Sequence, residues 1–95
     1  MKVFKNPLAF EWDEGNKDKN FIKHKVTNEE CEEVFFDSNK KIAIDILHSG
    51  EEERYILLGK TKNNRYLFLV FTIRKDMIRV VSARDLSKKE RSLYE

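Results

Sequence analysis

The chain has 95 residues and a mass of 11.4 kDa, enough for one small domain over residues 1–95 and too little for two. Charged residues make up 38%, the hydrophobic set 40% and aromatics 12%, and the apolar residues fall into strand-like runs, which argues against disorder. The single cysteine, Cys31, excludes an intrachain disulfide and so a stapled secreted scaffold.

The net charge of +2 conceals a division. Residues 1–53 carry 8 Lys, no Arg and 13 Asp plus Glu, a net of −5. Residues 54–95 carry 11 Lys plus Arg and 4 Asp plus Glu, a net of +7. All six arginines lie there: Arg54, Arg65, Arg74, Arg79, Arg84 and Arg91. Such asymmetry fits a face for a polyanion, or two halves that neutralise each other across the fold. The longest apolar run, Tyr66 to Phe71, is far too short to cross a bilayer. Met1 to Pro7 lacks the apolar stretch of a signal peptide. The expected compartment is the cytoplasm, with no membrane partner.

In chain order, Leu8-Ala9-Phe10-Glu11-Trp12 predicts a short strand. Asp13 can then cap a short helix within residues 14–24, with Phe21 and Ile22 as its narrow buried face. Thr27-Asn28-Glu29-Glu30 is a capping box, and Cys31, Val34 and Phe35 follow as one helical stripe. From Lys41 the pattern becomes β. Ile42, Ile44 and Ile46 alternate with other residues, and the polar loop His48 to Glu53 follows. Arg54 to Gly59 is a second strand. Lys62 to Arg65 is a turn, and Tyr66 to Ile73 is apolar on both faces, as in a central strand. Arg74-Lys75-Asp76 turns into a last strand from Met77 to Ala83. Ser87-Lys88-Lys89-Glu90 is a second capping box, opening a terminal helix. The order β-α-α-β-β-β-β-α, with strands joined by short turns, predicts an α+β domain: a small antiparallel sheet with helices packed on it.

Arg79 sits inside an otherwise apolar strand. It is either an ion-pair partner for a carboxylate of the acidic half or a guanidinium aimed at a phosphate. Strict alternation places it on a face with Met77, Val81 and Ala83, and Arg84 on the other with Ile78, Val80 and Ser82. Arg54 and Arg74 stand at strand ends. Lys23-His24-Lys25 suits the C-terminal dipole of a helix; alternatively it contacts phosphate, with His24 in proton transfer. His48 reads as a solvated loop residue. Glu53 beside Arg54 is either solvated or a base. Trp12 and Tyr94 are core residues or platforms for bases. Three glycines leave no Gly-rich phosphate loop, and Cys31 on the apolar stripe reads as an inert buried thiol.

Phe10-Glu11-Trp12-Asp13 and Asn20-Phe21-Ile22-Lys23-His24-Lys25-Val26-Thr27 resemble the opening of the BrnT toxins of type II toxin–antitoxin systems. The likeness continues through Glu33-Val34-Phe35, Asp37, Glu52-Glu53-Arg54 and Gly59. It closes with Ile78-Arg79-Val80-Val81-Ser82-Ala83-Arg84 and Glu90-Arg91-Ser92-Leu93-Tyr94. The resemblance implies a RelE-like ribonuclease toxin fold and RNA cleavage that halts translation. It implies a BrnA-type ribbon-helix-helix antitoxin that neutralises the toxin in a heterotetramer and supplies the operator DNA contacts. Many relatives carry glycine where this chain has Lys25; if that position is a left-handed helix cap, lysine should cost about 1 kcal/mol. Asp85-Leu86-Ser87 also departs from the usual Ala-Thr run.

The expected chemistry needs no metal or cofactor: the substrate's own 2′-hydroxyl attacks the adjacent phosphate and leaves a 2′,3′-cyclic phosphate. Arg54, Arg79 and Arg84 form the expected phosphate clamp. Arg74, Glu53, Trp12 and Tyr94 are further substrate contacts, and Lys23 or His24 transfers a proton. The alternative is a non-catalytic protein that binds antitoxin and ribosome without cutting RNA.

Overall fold

The computed structural model describes residues 9–47, 50 and 52–95. Leu8, His48, Ser49 and Glu51, which enter the readings above, lie outside the described residues, as does Met1 to Pro7. The described elements run α1 (Lys19–His24), α2 (Asn28–Glu33), a 3-10 turn (Val34–Phe36), β1 (Lys41–Ile44), β2 (Tyr55–Lys60), β3 (Tyr66–Arg74), β4 (Met77–Asp85) and α3 (Lys88–Tyr94). The strands form one antiparallel sheet in the order β1-β2-β3-β4. The expected α+β architecture is the observed one, and the first expected strand is present as a parallel bridge between Phe10 and Ile78.

Local chemistry accounts for the elements. Thr27 accepts from the Glu30 amide and Glu30 returns to the Thr27 amide, at 3.0 Å each, which starts α2. Ser87 and Glu90 repeat the arrangement for α3. Lys75 and Asp76, at φ 49° and 65°, make the two-residue hairpin turn that brings Arg74 opposite Met77.

α2 and the 3-10 turn cover one face of the sheet. Val26, Cys31, Val34 and Phe35 pack on Leu57, Leu67, Leu69, Phe71, Ile78, Val80 and Ala83. Phe35 meets Phe10 and Phe71 edge-on, and Tyr55 stacks on Phe71. Gly59 permits this closeness: a Cβ there would lie 2.8 Å from Val34 Cβ.

Two expectations are corrected. In α1 the buried residue is Asn20, while Phe21 and Ile22 are 45% and 77% exposed. Asn20 faces inward because its Oδ1 accepts from the Ala83 amide on the outer edge of β4. Asn16, also buried, donates to the Val80 and Glu11 carbonyls. With the bridge at Ile78, these two side chains occupy backbone groups that an edge strand leaves open. Asp13 does not cap α1, whose N-cap residue is Asp18.

The strict alternation expected of β4 also fails. Phe71 pairs with Val80 and Val70 with Ser82, so Val81 is an extra residue, a β-bulge. The alternation shifts there: Ile78 and Val80 are buried, then Ala83. Arg79 and Arg84 therefore share the outer face, opposite Thr72 and Phe68.

Candidate functional site

The outer face of the sheet carries three adjoining hollows. One, of about 180 Å³, is lined by Lys19, Glu52, Arg54, Thr72, Arg74 and Arg79 among others. Arg54 and Val81 also wall a second hollow, of about 320 Å³, with Ile56, Phe68 and Val70. Ile56 and Phe68 in turn wall a third, of about 270 Å³, with Leu58, Glu90 and Leu93. An apolar strip thus joins a cluster of three arginines at one end to Arg84 and α3 at the other. A larger hollow of about 700 Å³ lies against α2, where Glu29, Glu32, Glu33 and Asp37 share the wall with Lys60 and Lys62.

Carboxylates hold Arg79 and Arg74 in the cleft. Arg79 Nη1 donates to Asp13 Oδ2 at 2.7 Å and to Glu11 Oε1 at 3.2 Å, and Nη2 donates to Asp13 Oδ1 at 3.0 Å. Asp13 is placed by its own loop, whose Asn16 side chain accepts from the Asp13 amide. Gly15 fits beside the pair: a Cβ there would stand 2.8 Å from Arg79 Nη2. Arg74 makes a forked pair with Glu52, at 2.7 and 3.1 Å. The hydrogen bonds from Arg79 and Arg74 draw the Asp13 and Glu52 carboxyls below their ordinary range. Arg79 is 15% exposed and Arg74 53%, so the first is the more enclosed of the two.

Arg84 stands apart from that cluster. Its guanidinium lies 4.1 Å over the Phe68 ring and forks onto Glu90 at 2.8 Å twice. The Arg84 hydrogen bonds lower the Glu90 carboxyl to about 2. Arg65 is a structural arginine. It forks onto Asp85 and also donates to Glu30 and to the His24 and Lys25 carbonyls, closing the end of α1.

Other expected residues lie elsewhere. Lys23 and His24 end α1 beside Arg65 and do not line the arginine cleft; Lys19, one turn earlier, does. Trp12 packs against the core and donates from Nε1 to Glu32 at 2.7 Å. Tyr94 is buried, edge-on to Tyr66, with its hydroxyl on Asp37 at 2.6 Å. Glu53 accepts from the Tyr55 hydroxyl at 3.4 Å. Cys31 is fully buried, and that burial pushes its thiol up to about 12. Sequence reading missed Lys19, Thr72 and the Asp13 and Glu11 partners of Arg79. Only Thr72 carries a local signal, as the one polar residue between Leu67 and Ile73.

The chain is a small α+β domain whose sheet has one covered face and one open face lined by arginines. Residues 12–90 match the family model described as the ribonuclease toxin BrnT of type II toxin–antitoxin systems, and the chain belongs to this family. Membership implies an antitoxin partner. Among curated proteins none matches the chain. No helix among the described residues is long and apolar enough to cross a membrane.

Proposed function

We propose that the chain cuts RNA on the open face of its sheet and thereby halts translation, until a BrnA-type ribbon-helix-helix antitoxin covers it in a heterotetramer. The observation that carries this reading is the gathering of Arg54, Arg74 and Arg79 in one cleft. Planar guanidinium forks pair with two phosphate oxygens at once. The carboxylates that hold Arg74 and Arg79 occupy those forks in the free protein, and a backbone phosphate would take their place. The Arg74–Glu52 pair is largely solvated, and such pairs are worth only about 0–1 kcal/mol, so exchange there is inexpensive; the more enclosed Arg79 exchanges at greater cost.

In this mechanism the 2′-hydroxyl loses its proton and its oxygen attacks the adjacent phosphorus. The bond to the 5′-oxygen breaks, and that oxygen takes up a proton, leaving a 2′,3′-cyclic phosphate and a 5′-hydroxyl. The arginines stabilise the charge that gathers on the phosphorane. The apolar strip past Arg54 offers Phe68 and Ile56 to the flanking bases, and Arg84 a further phosphate contact. No metal is needed for these steps.

The purified chain, separated from its antitoxin, should cleave RNA equally with and without chelator, giving cyclic phosphate ends. A 3′-hydroxyl product, or loss of cleavage in chelator, overturns the mechanism. Binding of uncleavable RNA should weaken with salt at a log–log slope of about −2 to −3, as expected for three or four phosphates on a single strand. Co-purification with the neighbouring gene product tests the antitoxin assignment. The ion pairs of Arg74, Arg79 and Arg84 favour one second reading, a non-catalytic protein whose arginines anchor partners. Growth arrest with intact RNA would support it.

A further inference from the structure

We propose that the Thr72 hydroxyl is a phosphate-binding group of the arginine cleft, held in reserve until substrate arrives; this rests on the RNA-cleaving reading above. Thr72 interrupts an apolar run, Leu67-Phe68-Leu69-Val70-Phe71-Thr72-Ile73. Valine has nearly the same shape and an equal preference for a strand, so the fold gives no reason for the oxygen. Thr72 is 2% exposed, and nothing among the described residues hydrogen-bonds its Oγ1. Buried hydroxyls without a partner are rare and costly. This one lies in the wall of the cleft that collects Arg54, Arg74 and Arg79.

Its neighbours explain how a covered hydroxyl could serve a ligand. Thr72 is the cross-strand partner of Arg79. Arg79 is drawn toward Asp13 and Glu11, and Arg74 toward Glu52. When a phosphodiester takes the place of those carboxylates, the guanidinium forks of the cleft regroup around it and the hydroxyl gains access to one of its oxygens. The hydroxyl then donates to a non-bridging oxygen beside the two forks. Nothing covalent changes; one unpaired donor acquires its acceptor only in the complex.

The test compares the whole chain with Thr72→Val and Thr72→Ser. Three quantities are measured: RNA cleavage, binding of a 2′-O-methyl RNA that cannot be cut, and melting temperature. Thr72→Val should melt higher, by roughly 4–8 °C, yet cleave RNA about ten- to a hundredfold more slowly and bind the uncut RNA more weakly. Thr72→Ser should retain cleavage. A more stable Thr72→Val that cleaves and binds as the wild type overturns the proposal. So does a Thr72→Val that melts lower, because the hydroxyl would then be structural; Thr72→Ala repeats the measurement if the valine variant does not fold. Should the wild type bind the uncut RNA but fail to cut RNA, cleavage fails as a reading, and the binding comparison alone decides Thr72. A wild type that neither binds nor cuts overturns both.

Discussion

The two faces of this sheet carry the same backbone and opposite chemistry. On the inner face Phe71, Leu69 and Leu57 are fully buried beneath Phe35 and Val34, and shape decides what fits. On the outer face Arg74, Arg79 and Arg84 spread over a half-exposed strip and are kept in place by carboxylates. The inner face makes the fold and tolerates no exchange of partners, whereas the function proposed above has a ligand replace the partners of the outer face. Damage to the inner face should therefore appear as lost stability, and damage to the outer face as lost activity at nearly constant stability.

The largest effect tests the inner side. Phe71→Ala removes a ring packed between Phe35 and Tyr55 and should cost about 3–5 kcal/mol in denaturant unfolding, much of the stability of a small domain. Its activity should fall in step with the folded fraction. Arg79→Ala tests the outer side. RNA cleavage should drop about 100- to 1,000-fold, while stability changes by less than about 1 kcal/mol because the pair it breaks is partly solvated. Arg79→Lys should stay impaired, since an ammonium keeps the charge and loses the fork. A well-folded Arg79→Ala with full toxicity would sink the division between the faces.

A third, smaller effect joins the two faces through α3. Glu90 is held at about 2, against an ordinary 4.5, first by Arg84 and also by the Ser87 amide. A folded value below the unfolded one means stability that is complete above about pH 4.5 and fades as pH falls toward 2. Discounted for the 40% exposure of Arg84, the loss should be on the order of 1–2 kcal/mol. The melting temperature of the wild type should thus fall faster below pH 4.5 than that of Glu90→Gln; parallel curves would show that the pair contributes nothing.

What the sequence made legible was local. Both capping boxes and the hairpin turns are written in residues within four of one another, and the structure has them as expected; Cys31, Val34 and Phe35 are buried together as expected, but the helix carrying them tightens into a 3-10 turn after Glu33. The site was legible in kind but not in arrangement. Arg79 was singled out because a cation in an apolar strand needs a partner, yet its partner Asp13 is 66 residues away, and such pairings leave no mark in spacing. The bulge at Val81 undid the alternation that separated Arg79 from Arg84, since one extra residue shifts every later side chain by a face. Trp12 and Tyr94, attractive as ring platforms, are drawn inward by Glu32 and Asp37, acceptors that only the folded chain brings near.

The smallest effect concerns a residue on neither face. Lys25 ends α1 at φ 59°, with its amide on the Phe21 carbonyl at 2.9 Å. This left-handed cap suits glycine, which has no Cβ to strain. Lys25 offers its Nζ at 5.4 Å over the Phe21 ring in return, but such an exposed contact is worth only about 0.5–1 kcal/mol. Its carbonyl, which accepts from Arg65 at 2.7 Å, belongs to the backbone and would survive replacement. Lys25→Gly should therefore raise stability by up to about 1 kcal/mol and leave RNA cleavage unchanged, since this side chain does not line the cleft. A lower melting temperature would mean that the contact with Phe21 outweighs the strain. A drop in cleavage at unchanged stability would instead extend the proposed RNA-binding face to the end of α1, where Lys23 and His24 also stand.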